Sequence, residues 1–175
     1  MENLVLDVRM RIEKHQYQAH WYRHVSSMVR GKSILDIGTG SGYGLTILRE
    51  GEATEVEGFH VAELPGVKKA TIQDYADRSF DWVSAIDVVE HVEGDREFFR
   101  QLLRVAREAV FVSTPNWNVS HARNPYHVRE YTPKELRDLL ESFGFGNPKK
   151  ERDLRYRHLR LPARGIPPCT RADSL

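Results

Sequence analysis

The chain has 175 residues and a single cysteine, Cys169, so no internal disulfide can form, which fits a reducing compartment. It has no apolar run near the roughly 18 residues that a membrane span needs. Its N-terminus interleaves Glu2, Asp7, Arg9 and Arg11 with apolar residues and so lacks the apolar core of a signal peptide. A cytoplasmic location without membrane partners is therefore expected. No charge of one sign dominates: 26 Lys and Arg meet 25 Asp and Glu, for a net +1. That balance excludes a surface that binds nucleic acid everywhere. Repeats are absent, and so is the Gly-x-x-x-x-Gly-Lys-Ser/Thr run of a phosphate-cradling loop.

What is present is ordinary globular material, 40% hydrophobic and 29% charged, most simply one domain over residues 1–146. Residues 147–175 form a basic extension with eight Lys or Arg against three Asp or Glu. A helical lead-in is expected over about residues 8–30, with Tyr17, His20, Trp21, Tyr22, Val25 and Met28 at helical spacings. Strands follow at Ser33 to Ile37, Glu55 to Val61, Lys68 to Gln73, Phe80 to Ile86 and Ala109 to Ser113. Helices are expected at Tyr43 to Glu50, Asp95 to Glu108, and from Thr132 to the Gly144-Phe145-Gly146 stop. Thr132-Pro133-Lys134-Glu135 has the pattern of a capping box with proline in the first turn.

This alternation predicts an α/β fold with a doubly wound, mostly parallel sheet. One link is anomalous. Only about six residues separate the second and third strands, whereas a parallel crossover usually takes about a dozen. Either that second crossover is reduced to a turn, or one strand assignment fails. After Asn147 one strand, about Glu151 to Leu159, is expected before an irregular end, so the C-terminal hairpin is incomplete. A second copy of the chain could complete the edge as a homodimer.

The most informative stretch is Ser33 to Gly44, an apolar strand running into Gly38, Gly40, Gly42 and Gly44. Glycines at every second position let a backbone approach a ligand, and the helix that follows offers its unpaired N–H groups. Tyr43 stands where a dinucleotide fingerprint would carry its third glycine. Asp36 precedes the turn. A carboxylate there suits a ligand with an ammonium or sulfonium group better than a pyrophosphate.

ILDIGTGSGYG (34–44) resembles motif I of class I S-adenosylmethionine-dependent methyltransferases. The resemblance continues through SFDWVSAIDVVEHVEG (79–94), FVSTPN (111–116) and NPYHVREYTPKEL (124–136), and the lead-in HWYRHVSSMVRGK (20–32) is similar to the family's cap helix. Together these cover about residues 20–146, and the nearest branch is that of small-molecule, glycan and ubiquinone-pathway O-methyltransferases. The resemblance implies a Rossmann-like fold, S-adenosylmethionine as cofactor and methyl transfer to a small-molecule or glycan hydroxyl. It implies that Asp36, Gly38, Gly40 and Gly42 cradle the methionine part of the cofactor. It also implies that Asp74 receives the adenine amino group beside Tyr75, and that Asp87 lines the methyl-transfer face. The acid that binds both ribose hydroxyls falls at His60, which is a departure. Imidazole cannot accept from both hydroxyls, and Glu57 or Glu63 could take that part.

On the acceptor side, Asp87, Glu90, His91 and His127 resemble the ligand set with which small-RNA 3′-end 2′-O-methyltransferases hold a divalent metal. Three readings stay open: a metal site on those four residues, His91 as general base beside Glu90, or Glu90 and His91 as loop braces. The loop from Pro115 to Tyr131, with Asn116, Trp117, Asn118, His121, Arg123, Asn124 and Tyr126, suits a sugar or a nucleobase alike. Two alternatives to the small-molecule enzyme follow. One is an RNA methyltransferase using Arg152, Arg155, Arg157, Arg160 and Arg164 of the tail. The other is a non-catalytic binding protein with a reduced methyltransferase fold.

Overall fold

The computed structural model describes residues 5–10, 18–121, 124–143 and 155–157. In chain order the elements are β1 (Val5–Met10), α1 (Gln18–Ser26), β2 (Ser33–Ile37), α2 (Tyr43–Glu50), β3 (Glu55–His60) and β4 (Lys68–Lys69). They continue with β5 (Phe80–Ile86), α3 (Asp95–Val105), β6 (Ala106–Thr114), α4 (Trp117–Ser120), α5 (Pro133–Glu141) and β7 (Arg155–Arg157). Short 3-10 turns lie at Ile72–Asp74 and Val89–His91.

The strands form one sheet in the order β4-β3-β2-β5-β6-β1-β7, parallel except for β7, which runs antiparallel to β1. The chain leaves β2 toward β3 and β4, then returns to the other side of β2 with β5 and β6. The carboxyl ends of β2 and β5 therefore flank the switch point at which open α/β sheets bind ligands.

Alternation along the strands sorts the core. Leu35, Ile37, Val83, Ala85, Val110 and Val112 face α3 and α5 with Phe99, Leu102, Leu136 and Leu140. Ile34, Ile86 and Phe111 face α1 and α2 with Trp21, Tyr22, Val25 and Leu48. Every residue of β2 is buried, as expected of a central parallel strand covered on both faces.

Three expectations need correction. The lead-in is not helical at its start, because Val5–Met10 is a strand paired in parallel with β6 from Ala109 to Thr114. That pairing puts β1 of the same chain where a partner's strand was expected; Asp7 and His24, 3.5 Å apart, link it to α1. Helix α3 ends at Val105 and not at Glu108. Ala106 is already extended and pairs with Phe80, so helix passes to strand without a loop.

The third concerns the strand expected over Lys68 to Gln73, which is cut to two residues, while the crossover before it is reduced to a turn as one of the two expectations had it. The chain folds back through a Leu64–Val67 bridge with Gly66 at φ 72°. This suffices because Lys68 and Lys69 pair only with Phe59 and His60, the last two residues of β3, so the chain need not travel back along the strand. The next segment, expected to be a strand through Gln73, becomes the 3-10 turn after Lys69.

The capping box at α5 forms as expected, with Thr132 and Glu135 satisfying each other's backbone N–H groups. No described helix is long and apolar enough to cross a membrane. The Gly144-Phe145-Gly146 stop, Cys169, and Arg152, Arg160 and Arg164 of the tail lie outside the described residues, as does Arg123 of the loop.

Candidate active site

The glycine turn leaves β2 through three left-handed residues, Gly38 (φ 70°), Gly40 (φ 55°) and Gly42 (φ 80°), a region that L side chains rarely adopt. The N–H groups of Gly38 and Thr39 donate to the Phe59 carbonyl at 3.0 and 3.1 Å, which ties the turn to the end of β3. A Cβ on Gly40 would meet nothing within 4 Å, so this part of the turn faces open space. Gly42 precedes α2 without a side-chain cap, and the Leu45 N–H already donates to its carbonyl at 3.1 Å. Gly44 differs. A Cβ there would lie 2.1 Å from the ring of Tyr22, so this glycine makes room for α1 and not for a ligand.

Asp36 is fully buried in the α1 face of the sheet. Its Oδ2 accepts the Tyr22 hydroxyl at 2.9 Å and its Oδ1 accepts the Ser84 hydroxyl at 2.6 Å. Burial pushes its carboxyl up to about 6, against the lowering effect of Ser84, Tyr22 and Thr39. The carboxylate thus acts from inside the fold rather than as an exposed contact.

On the nucleoside side the expected residues are engaged with their own fold. Asp74 turns back on its own chain: its Oδ2 accepts the Thr71 N–H at 2.7 Å and the Thr71 hydroxyl at 3.1 Å, which closes the 3-10 turn. Those bonds hold its carboxyl below the usual range. Tyr75 is buried, stacked on Phe59 at 5.3 Å, with its hydroxyl donated to Glu57 at 2.7 Å. Burial alone would raise the Glu57 carboxyl, but the bonds from Lys68 (2.5 Å) and Tyr75 outweigh it and hold it low. Glu57 is therefore engaged by Lys68 and Tyr75, and Glu63 is exposed beyond β3. His60, expected to meet the ribose, ends β3 with its Nδ1 buried and without a hydrogen-bond partner among the described residues.

At the end of β5 the chain turns through Asp87, which is left-handed at φ 53°, a strained conformation for a non-glycine residue. Its N–H donates to the Ser113 carbonyl (3.0 Å), and the Ser113 hydroxyl donates to Oδ1 (2.8 Å). Glu90 is fully buried and accepts the Thr114 hydroxyl at 3.1 Å. Its carbonyl receives the N–H groups of Val128 (2.8 Å) and Arg129 (3.2 Å), which draws the loop carrying His127 onto the end of β5.

One donor atom each from Glu90, His91 and His127 lie within 4.8 Å of one another, a group that could hold a metal ion. Asp87, the fourth residue of the expected set, is not in that group. His91 Nδ1 is 2.9 Å from the Tyr126 carbonyl. A carbonyl only accepts, so Nδ1 carries the proton and Nε2 keeps its lone pair. His127 Nδ1 donates to Glu130 at 2.5 Å, and Glu130 also accepts the Ser120 hydroxyl. A carboxylate behind an imidazole is the usual way to orient a metal-binding histidine. The cleft at these residues, about 590 Å³, is also lined by Asp87, Asn116 and Asn124.

Tyr22, Ser84, Ser113 and Thr114 were not legible as site residues. A hydroxyl on a buried strand or an amphipathic helix leaves no sequence signal of its partner. Glu130 had one, in the spacing His127-x-x-Glu130.

The family model for a methyltransferase domain matches residues 13–149. A probable S-adenosylmethionine-dependent methyltransferase of Mycolicibacterium smegmatis is 31% identical over 152 residues, covering 71% of this chain and 56% of that protein. The chain thus spans a little over half the length of this curated relative. Among solved structures, a SAM-dependent methyltransferase from Archaeoglobus fulgidus superposes with a TM-score of 0.61 at 22% identity, covering 74% of this chain and 68% of that one. The small RNA methyltransferase HEN1 gives 0.63 at 18% identity, over 87% of this chain and 27% of that one.

Proposed function

The chain belongs to the class I S-adenosylmethionine-dependent methyltransferases, and on that premise we propose that it methylates a hydroxyl of a small-molecule or glycan acceptor held in the cleft at His91. The observation that carries this reading is the approach of two features across the switch point. Gly38 and Val88 are in such contact that a Cβ on Gly38 would lie 2.7 Å from the Val88 side chain, so the glycine turn abuts the segment bearing Glu90 and His91. The open backbone at Gly40 and the start of α2, which no side chain caps, suit the methionine end of the cofactor, and His60 suits one ribose hydroxyl.

The sulfonium supplies an already activated methyl group, so the protein's share is alignment and the removal of one proton. The Nε2 lone pair of His91 is the group that would take that proton as the acceptor oxygen bonds to carbon. Asn116 and Asn124 offer amide groups to a polyhydroxylated acceptor.

A second reading rests on the Glu90, His91 and His127 group. Two imidazoles and a carboxylate suit a zinc- or manganese-like ion, which would lower the pKa of a bound hydroxyl. An RNA acceptor draws support from the likeness to HEN1 and from the basic tail, of which Arg155 and Arg157 lie in β7.

Calorimetry with S-adenosylmethionine, followed by a methyl-acceptor screen, tests the proposal. Binding heat and transfer to a hydroxyl compound are expected. No heat at high protein concentration would return the chain to the non-catalytic reading, and RNA binding that is salt-sensitive and lost with the tail would favour the RNA reading.

A further inference from the structure

Asp36 is fully buried between the sheet and α1, and its hydrogen-bond partners there are neutral hydroxyls. Ser84, its in-register neighbour on β5, approaches from one side and Tyr22 of α1 from the other. Thr39 faces it from the glycine turn, and Tyr43 of α2 stands near enough for the Asp36 charge to raise the Tyr43 hydroxyl, after burial and Asp87.

The Tyr22 ring is held for this contact. It is 3% exposed, packs edge-on against Tyr43 at 5.5 Å, and occupies the space left by the missing Cβ of Gly44. A second glycine works the same way at the other end of α2: a Cβ on Gly51 would lie 2.2 Å from the Ser26 carbonyl. Two glycines thus let α1 lie close against α2, and α1 delivers one hydroxyl to the residue that precedes the turn.

We infer that Tyr22 is a positioning residue for the cofactor: by donating its hydroxyl to Asp36, it couples the docking of α1 to the charge and shape of the glycine turn. This rests on the cofactor reading above. Burial opposes the charge of Asp36, and the Tyr22 hydroxyl is one of the bonds that preserve it. Removing that bond makes Asp36 take up a proton at higher pH, and the turn loses a negative charge that attracts the α-ammonium of the cofactor.

The test is calorimetric titration with S-adenosylhomocysteine from about pH 5.5 to about pH 8.5, on the full chain and on Tyr22→Phe, which keeps the ring beside Gly44. Wild-type affinity is expected to fall as pH drops through about 6. In Tyr22→Phe the fall should begin at higher pH, leaving affinity about three- to tenfold weaker near neutrality and converging with wild type at the alkaline end. Ser84→Ala, which removes the bond to the other oxygen, should displace the curve in the same direction, and it serves if thermal melting shows Tyr22→Phe unfolded. Superimposed curves, or a loss of equal size at every pH, would assign Tyr22 to packing alone and overturn the inference. Absence of binding by the wild-type chain would instead overturn the cofactor reading itself.

Discussion

The Tyr126 carbonyl accepts the Nδ1–H of His91 at 2.9 Å, and this single bond decides which ring nitrogen is available for chemistry. The backbone of a loop more than thirty residues downstream thereby sets the tautomer of a residue at the end of β5. His91→Ala should lower methyl transfer by about 10²- to 10⁴-fold while leaving cofactor affinity within about twofold. Single-turnover transfer assays paired with calorimetry check this. Normal transfer by the variant would remove His91 as the base.

Glu90, His91 and His127 should take up Mn²⁺ or Zn²⁺ in equilibrium dialysis if the metal reading holds. Glu130→Gln then removes the carboxylate behind His127 and should weaken uptake by about 10- to 100-fold. Transfer should be abolished by a chelator and restored by the ion. If wild-type protein binds no ion at about millimolar concentration, the metal reading falls, and the His91→Ala assay decides between base and loop brace.

Asp36 should limit stability at neutral pH. Its carboxyl holds a proton up to about pH 6 in the folded protein, but only to about pH 4 when unfolded. The folded state therefore binds the proton more tightly, so stability falls as pH rises between those values and is level above them. Asp36→Asn avoids the buried charge and should be more stable by about 1–3 kcal/mol above pH 6, with the difference vanishing near pH 4. Its cofactor affinity should fall. Thermal melting across that range, with calorimetry at neutral pH, measures both.

Gly44→Ala should destabilise the fold by about 1–3 kcal/mol, because its Cβ would press on the Tyr22 ring. Gly40→Ala meets no such obstacle, and its main effect should be on cofactor affinity. Denaturant melts and calorimetry of the two variants separate the packing glycine from the ligand-facing one. Equal effects on stability would contradict the assignment.

His60→Asp places an acceptor for two hydroxyls at the end of β3 and should strengthen cofactor binding by about tenfold. Unchanged or weaker affinity would show that His60 does not face the ribose.

Several elements are legible because their signals are local. The apolar run Ser33–Ile37, the capping box at Thr132 and Glu135, and the buried run Phe80–Ile86 each satisfy their own backbone or bury their own faces. Asp74 shows what local reading leaves out. A carboxylate after a strand gives no sign in the sequence that it also closes a turn, as Asp74 does by accepting the Thr71 N–H and hydroxyl through Oδ2.

The same division runs through the whole chain. Most of the order of strands and helices and the three left-handed glycines are written in neighbouring residues, since backbone conformation and periodic burial depend on neighbours; the meeting of His127 with Glu90 and His91 is not, because it needs the Val128 and Arg129 N–H bonds to the Glu90 carbonyl. The strand character of Val5–Met10 is not, because an alternating charged segment becomes a strand only when β6 offers it hydrogen bonds. Nor is the role of Gly44, which depends on a tyrosine brought by another helix. Which glycine makes room for another helix and which hydroxyl bonds Asp36 are contacts between distant segments, and packing settles them.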